Sequence, residues 1–218
     1  MLKLFHSPGA CSLVPHIALE EAGADYEAVR IVLAQGEHLK PEYLAINPHA
    51  RVPALATDSG TITENIAILN YIADRFEAAG SVPRDDDFIA AKCNELLGWF
   101  ASTVHIAFAQ VWRMGRFTSD ESVHPHIQQG GREALEKHFA EIEGLIGEGW
   151  LVGDRFTAAD SYALTFFRWG NRIDLGMNRF PRWAALNRRL LDVPSVQRVL
   201  DHEGLQPGEF QPVAKVNA

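Results

Sequence analysis

The chain has 218 residues, and 47% of them are hydrophobic, which is enough to bury a sizeable core in one large or two small domains. Its formal net charge of −8 argues against a nucleic-acid partner, because neutralising phosphates requires clustered lysines and arginines. Two cysteines, Cys11 and Cys93, are too few for a disulfide framework and are typical of a reducing compartment. The N-terminus lacks the pattern of a signal peptide, and no apolar run approaches membrane-spanning length, so we expect a cytoplasmic protein.

The N-terminal stretch predicts a strand, a tight turn and a helix. Met1–His6 has the apolar pattern of a buried strand, Pro8 and Gly9 favour a turn, and a helix follows from about Leu13. Cys11 or Ser12 then lies at the start of that helix, where free N–H groups and the helix dipole stabilise an anion. We therefore expect a thiolate at Cys11 with a pKa below the ordinary ~8.5, although a small buried cysteine would give the same pattern.

Cys11 has no resolving partner within its own motif. A redox pair of the thioredoxin kind would place a second cysteine at position 14, where the chain has Val14. Thiol chemistry at Cys11 therefore requires a thiol supplied from outside, and glutathione is the obvious monothiol cofactor.

The next segments predict a βαβ unit followed by a hairpin. Tyr26–Leu33 favours a second strand, parallel to the first, and a short helix is possible around Pro41–Leu44. A hairpin follows, and Pro53 lies at its opening. A cis Val52–Pro53 bond would turn the backbone of Val52 outward to pair with an extended peptide, whereas an ordinary trans proline is the commoner alternative.

Glu64 and Asn65 open a helix with apolar residues at spacings of three and four. An acidic residue there is favourable against the helix dipole without any function. Alternatively, Glu64 could bind the ammonium group of an amino acid, while Asn65 and the helix end bind its carboxylate.

Small residues, proline and a run of aspartates then interrupt the pattern, and everything that follows is helical. Long helices are predicted over Phe88–Met114 and Ile127–Ile146, and Thr157 and Asp160 have the spacing of a capping box. The predicted division is residues 1–78 for the first domain, 79–86 for a linker, 87–203 for a helical domain and 204–218 for an irregular tail.

Four motifs occur in a fixed order: Pro8-Gly9-Ala10-Cys11-Ser12, Asn47-Pro48 leading to Arg51-Val52-Pro53-Ala54-Leu55, Thr63-Glu64-Asn65-Ile66-Ala67-Ile68, and Phe156-Thr157-Ala158-Ala159-Asp160. Together they resemble the cytosolic glutathione transferases, most closely the bacterial beta-type branch, over nearly the whole chain. The resemblance implies an α/β plus all-α protein with a thioredoxin-like N-terminal domain and a C-terminal helical bundle. It further implies a homodimer that binds glutathione as cosubstrate between the domains and uses no metal.

The resemblance also implies roles for particular residues. Cys11 and Ser12 would lie near the glutathione sulfur, and His105 would reach it from the second domain. Further positions would bind the rest of the tripeptide: the backbone of Val52 beside a cis Pro53, the neighbouring Arg51, and Glu64 with Asn65 at the γ-glutamyl end. Thr157 and Asp160 would form a structural cap.

Several positions depart from the beta-type pattern. His6 stands where tyrosine is usual and could be a base, a donor to the substrate or a core histidine. Asn65 and Gly98 are also unusual. The lysine often found near Gln35 is missing, so Gln35, His38 or Lys40 could anchor the glycine carboxylate.

The expected reaction is attack of the glutathione thiolate on a hydrophobic electrophile. The expected electrophile site is Phe108, Trp112, Arg113, Phe117 and Trp169, although aromatic residues at helical spacing are more often core. Cys11 adds thiol–disulfide exchange or peroxide reduction as a second possible activity. The alternatives are a non-catalytic ligand carrier or scaffold, and a specialised glutathione-dependent isomerase or dehalogenase.

No metal site is expected from the histidines of the second half. His124, His126 and His138 have no thiolate partner, and His124-Pro125-His126 has the pattern of a loop.

Overall fold

The computed structural model describes residues 1–76 and 80–213. Its N-terminal part is an α/β unit around a four-stranded sheet in the order β2-β1-β3-β4. Strand β1 pairs in parallel with β2 and antiparallel with β3, and β3 pairs antiparallel with β4. The elements are β1 (Leu2–His6), α1 (Leu13–Glu21), β2 (Tyr26–Arg30), α2 (Pro41–Leu44), β3 (Ala54–Thr57), β4 (Gly60–Thr63) and α3 (Asn65–Arg75). The predicted βαβ unit, hairpin and thioredoxin-like fold are confirmed.

The second part is helical, as expected. Its helices are α4 (Asp87–Trp99), α5 (His105–Trp112), α6 (His124–Leu145), α7 (Ala158–Arg172), α8 (Pro181–Leu191) and α9 (Pro194–Glu203). A π-helical segment, Phe100–Val104, joins α4 to α5, so the helix predicted as one regular rod carries an irregular turn in its middle. The predicted loop at His124-Pro125-His126 is wrong, because these residues form the first turn of α6, where proline needs no N–H partner.

Helix α7 forms the centre of the helical domain. Phe166 and Phe167 are fully buried there, and α7 packs against α1, α4 and α8. Its start is the predicted capping box: the N–H and the hydroxyl of Thr157 both donate to Asp160 Oδ2 at 2.9 Å. This cap fixes the entry into α7, the helix that carries Tyr162 and Trp169 toward the first domain.

The chain after Gly204 is more ordered than its sequence indicates. Pro207–Phe210 form a 3-10 turn, and Phe210 is fully buried. Asn187 Nδ2 donates to the carbonyl of Phe210 at 2.8 Å, which ties the turn to α8. The expected boundary between residues 78 and 79 lies outside the described residues and stays a prediction. In the described part of the chain, none of the helices has the length and apolar character needed to cross a membrane.

Candidate active site

A cavity of about 650 Å³ lies where the N-terminal domain meets helices α5 and α7. Most of the predicted site residues line it, from both domains: Cys11, Arg51, Val52, Pro53, Glu64, Asn65, His105, Phe108, Trp112, Arg113 and Trp169. Four predicted site residues do not line it: His6, Ser12, Gln35 and Phe117. The sequence motifs therefore locate the cavity correctly, and the four exceptions each have a physical reason.

Ser12 is fully buried and shapes the turn before α1. Its hydroxyl accepts a hydrogen bond from the N–H of Ser7 at 3.0 Å and donates to the carbonyl of Ser7 at 3.2 Å. Both bonding capacities are satisfied within the turn, so Ser12 is not placed to contact reacting atoms. The expectation of a catalytic Ser12 is wrong in this structure.

Gly9 in the same turn is bound by residues of the second domain. Its N–H donates to Glu203 Oε2 at 2.7 Å, and its carbonyl accepts from Trp169 Nε1 at 2.8 Å and from Arg168 Nη1 at 3.2 Å. Gly9 has a φ of +65°, and a Cβ built there would lie 2.3 Å from Arg168 Nη1. Glycine adopts this φ without strain and leaves room for the Arg168 side chain, so the close approach of the two domains depends on it.

Cys11 faces the cavity, but its thiol is not poised as an anion. Sγ donates to the carbonyl of Val52 at 3.4 Å. Burial raises the pKa of Cys11 to about 12, outweighing the backbone N–H groups at the helix start and the charge of Arg113, which lower it. The expected thiolate is therefore wrong: Cys11 is a neutral thiol at pH 7.

The loop that carries Val52 is fixed by the Asn47-Pro48 motif. Asn47 Nδ2 donates to the carbonyl of Arg51 at 2.7 Å, and the buried Tyr43 hydroxyl donates to the same carbonyl at 2.6 Å. The Val52–Pro53 bond is cis, as the resemblance implied. Val52 precedes β3, outside the paired residues of the sheet, and it lines the cavity.

Glu64 and Asn65 form the corner of the cavity at the start of α3. Asn65 is buried, and its Nδ2 donates to the carbonyl of Cys11 at 3.1 Å, which joins two of the predicted site segments. Glu64 is exposed to the cavity and has a φ of +70°, a conformation that costs a residue other than glycine about 1–3 kcal/mol. Such cost is typical of functional positions, where the surrounding structure holds the residue in place.

His105 begins α5, directly after the π-helical segment. Its Nδ1 lies 3.2 Å from the hydroxyl of Tyr162, and its ring packs against Trp169 with centroids 5.0 Å apart. Burial, together with the positive charges of Arg113, Arg116 and Arg51, lowers the pKa of His105 to about 4. His105 is therefore a neutral imidazole at pH 7.

His6 points away from the cavity, into a cluster with α1 and α9. Its Nδ1 lies 3.1 Å from Glu203 Oε1, and the Nδ1 of His16 lies 2.7 Å from the same oxygen. Of the three roles considered for His6, the structure favours the core histidine, and it gives no support to a catalytic role because His6 does not line the cavity. The ring nitrogens of His6, His16 and His202 lie within 4.8 Å of one another. This group differs from His124, His126 and His138, the histidines considered as metal ligands in the sequence.

The other two exceptions are surface residues. Gln35 is exposed in a 3-10 turn, and Phe117 is 43% exposed beyond the end of α5. His38 and Lys40 do not line the cavity either. The structure instead adds residues that sequence reasoning missed: Arg30, Arg116, Arg172 and Tyr162. Arg116 could have been found from the sequence, because it lies three residues after the predicted site residue Arg113. The other three residues come together only through the fold.

Comparison with known proteins agrees with this architecture. The family model "Glutathione S-transferase, N-terminal domain" matches residues 1–74, and "Glutathione S-transferase, C-terminal domain" matches residues 103–192. Glutathione S-transferase GstA of Escherichia coli O157:H7 is 35% identical over 209 residues, which span 94% of this chain and all of the relative.

Solved structures give the same result. A glutathione transferase homologue from Sulfitobacter, crystallised with bound glutathione, superposes with a TM-score of 0.88 at 33% identity, covering 94% of this chain and 99% of its own. The bacterial beta-class glutathione S-transferase of Sphingomonas chungbukensis superposes with a TM-score of 0.82 at 37% identity, covering 94% of this chain and all of its own. This chain belongs to the glutathione S-transferase family.

Proposed function

We propose that this protein conjugates the thiolate of glutathione to an electrophile in the cavity between its domains. The observation that carries the proposal is the position of His105, a neutral imidazole that lines the same cavity as Val52 and Glu64. The tripeptide then lies along the N-terminal domain, and its sulfur faces α5.

The N-terminal wall of the cavity supplies one partner for each part of glutathione. Glu64 binds the ammonium group of the γ-glutamyl unit, because a carboxylate facing the cavity is the matching charge. The backbone of Val52 pairs with the cysteinyl unit in the manner of an added strand. Arg51 binds the glycine carboxylate in place of the expected Gln35, since Arg51 lines the cavity and Gln35 does not.

His105 stabilises the glutathione thiolate as a hydrogen-bond donor. We assign the hydrogen bond between Tyr162 and His105 so that the hydroxyl, whose pKa burial raises, donates to His105 Nδ1. The remaining ring nitrogen, Nε2, then carries the proton and donates to the sulfur anion. The positive charge of Arg113 near this site favours the same anion.

Cys11 is not the nucleophile of conjugation, because the sulfur that bonds to the electrophile is that of glutathione. Its position in the cavity supports a slower second activity, thiol–disulfide exchange. There the deprotonated Cys11 sulfur attacks the glutathione sulfur of a disulfide between glutathione and another thiol, the S–S bond breaks, and the other thiol leaves as its thiolate. A second glutathione thiolate then attacks the mixed disulfide and restores Cys11.

We infer that the protein works as a homodimer in the cytoplasm. Support for association comes from the family, because cytosolic glutathione transferases are usually homodimers. Support for the compartment comes from Cys11 and Cys93, which are both free thiols. Light scattering after size exclusion tests the dimer, and a mass of one chain would contradict it.

Retention on immobilised glutathione and turnover of chlorodinitrobenzene test the proposed function together. We expect retention, turnover, and a drop of about 10-fold or more in kcat/KM for His105→Ala. Phe117→Ala is the matched control, because this aromatic residue lies outside the cavity. Retention without turnover of any electrophile, disulfide or peroxide would establish the carrier instead, and activity confined to isomerisation or dehalogenation would establish the specialised enzyme.

A further inference from the structure

The charge of the cavity is opposite to that of the protein. The chain as a whole carries a formal net charge of −8. Five arginine side chains nevertheless line the cavity, and among its described lining residues Glu64 is the one acidic side chain. With His105 neutral, five positive charges and one negative charge leave an excess of four positive charges. The five are Arg30, Arg51, Arg113, Arg116 and Arg172.

In the described residues, ion pairs do not neutralise these arginines, although the charge of Arg172 reaches the carboxylate of Glu209. Within residues 1–76 and 80–213, the ion pairs between arginine and a carboxylate involve six other arginines, and none of the five cavity arginines takes part. Three of the five also lie close enough to repel one another: burial lowers the pKa of Arg116, and the charges of Arg51 and Arg113 lower it further. Like charges held together without partners raise the free energy of the empty cavity and favour an anionic ligand.

Glutathione does not account for the whole excess. As the thiolate it has two carboxylates, one sulfur anion and one ammonium group, a net charge of about −2 at pH 7. Its ammonium group is the partner of Glu64, and its glycine carboxylate is the partner of Arg51 in the proposed function. About two positive charges of the cavity therefore remain after glutathione binds.

Two of the five arginines lie beside Trp112. Arg113 follows directly after Trp112, the last residue of α5, and Arg116 ends the 3-10 turn that comes next. Trp112 is 42% exposed, and the buried rings of Phe108 and Trp169 pack against it with centroids 5.1 Å and 5.4 Å away. An apolar surface bordered by two guanidinium groups fits a molecule with a flat unsaturated body and an anionic end.

We propose that the electrophile taken by this protein carries a carboxylate, which Arg113 and Arg116 bind while its unsaturated body lies against Trp112. The inference rests on the proposed function and names the substrate class of that site. For an aryl halide, the sulfur lone pair of glutathione forms the C–S bond, the C–Cl bond breaks, and chloride leaves with its electron pair. Planar guanidinium groups suit this recognition because they bind a carboxylate through two parallel hydrogen bonds.

The test compares 4-chloro-3,5-dinitrobenzoate with its methyl ester, which has the same ring and leaving group without the charge. Each kcat/KM is divided by the uncatalysed rate constant with glutathione, which removes the difference in intrinsic reactivity. We expect the acid to be preferred over the ester by about 10-fold or more, and the preference to fall as NaCl is raised. Turnover of both with no preference for the acid would overturn the inference and leave the proposed function intact.

Variants assign the preference to residues. Arg113→Gln and Arg116→Gln should each reduce the acid-to-ester ratio about 5-fold or more, and Arg113→Lys should restore part of it. Arg188→Gln, an exposed arginine of α8 outside the cavity, is the matched control. A ratio unchanged in both glutamine variants would overturn the inference.

A binding measurement needs no turnover. The glutathione conjugate of 4-chloro-3,5-dinitrobenzoate and that of its methyl ester are titrated into the protein by calorimetry, and circular dichroism checks the fold of each variant. We expect the acid conjugate to bind about 10-fold more tightly. Equal dissociation constants would overturn the inference even if the protein turned over neither electrophile.

Discussion

The carboxylate of Glu203 accepts a hydrogen bond from the N–H of Gly9 at 2.7 Å, although 194 positions separate the two residues. Glu203 is the last residue of the last helix, and Gly9 lies in the turn that leads to Cys11. The side chain of Glu203 is fully buried and also contacts His6 and His16. Glu203, at the end of the helical domain, thus fixes the turn of Gly9, which lines the cavity.

Glu203→Gln removes the charge from this contact. Burial opposes ionisation of Glu203, but hydrogen bonds from His16 and His6 prevail and hold its pKa below the usual range. A carboxyl of this kind stabilises the fold above its unfolded pKa of about 4.3, and that stability is lost as the pH falls through the folded value. We expect Glu203→Gln to lower the free energy of unfolding at pH 7 by about 2–3 kcal/mol in urea denaturation.

Glu209→Gln is the control for that measurement. Glu209 pairs with Arg168, which also donates to the carbonyl of Gly9. The side chain of Glu209, unlike that of Glu203, is 36% exposed. A partly exposed pair of this kind contributes about 1 kcal/mol or less. Equal losses in the two variants would contradict a special role of Glu203.

Gly9→Ala tests the close approach of the two domains. The substitution places a methyl group 2.3 Å from Arg168 Nη1 in a left-handed backbone conformation. Gly23→Ala has the same kind of conformation, at a φ of +60°, with no atom within 4 Å, so it isolates the backbone cost of about 1 kcal/mol. We expect Gly9→Ala to destabilise the protein by at least 1 kcal/mol more than Gly23→Ala and to raise KM for glutathione; equal effects would show that the contact with Arg168 is easily relaxed.

The sequence was sufficient for the features that depend on local pattern. Strands, helices and the capping box at Thr157 follow from periodicity and from residue types at fixed spacing, and the structure has them. The cavity residues that the motifs placed correctly, such as Val52 and Glu64, sit at turns and helix starts, where local chemistry determines their position.

The failures share one cause, which is contact between distant segments. Cys11 was expected to ionise from its place at a helix start, but burial within the folded protein decides its pKa. His6 was open to a catalytic role until Glu203, 197 positions away, proved to be its partner. The π-helical segment before His105 has no signal in the apolar periodicity, and arginines from four segments form the positive cavity only when the domains pack.

The raised pKa of Cys11 makes a prediction about its reactivity. Its alkylation by iodoacetamide should be slow at pH 7 and should keep increasing above pH 9, because the thiolate is the reactive form. Free glutathione at equal concentration is the control, and its rate levels off near its ordinary pKa. A rate for Cys11 that levels off below pH 8 would contradict the buried neutral thiol.

Cys11→Ala separates the two proposed activities. We expect it to abolish exchange with a mixed disulfide of glutathione and another thiol while conjugation of chlorodinitrobenzene continues at a similar rate, since the glutathione sulfur is the nucleophile of conjugation. Cys93→Ala is the matched control, because Cys93 is a buried thiol away from the cavity. Exchange at the wild-type rate in Cys11→Ala would exclude Cys11 as the exchanging thiol.

His105 should make stability depend on pH. A histidine whose pKa is lowered to about 4 binds fewer protons in the folded state than in the unfolded state, where its pKa is about 6.5. Its contribution to stability is therefore complete above pH 6.5 and is lost as the pH falls toward 4, by an amount on the order of 3 kcal/mol. Urea denaturation at pH 7 and pH 4 measures it: the difference in unfolding free energy between wild type and His105→Gln should change by about that amount.

His126→Gln is the control, because His126 is an exposed histidine of α6. Its difference from wild type in unfolding free energy should change by less than about 0.5 kcal/mol between the two pH values. If the His105 difference were the same at both values, the imidazole would not be held neutral by its surroundings, and the donor role assigned to its Nε2 would lose its basis.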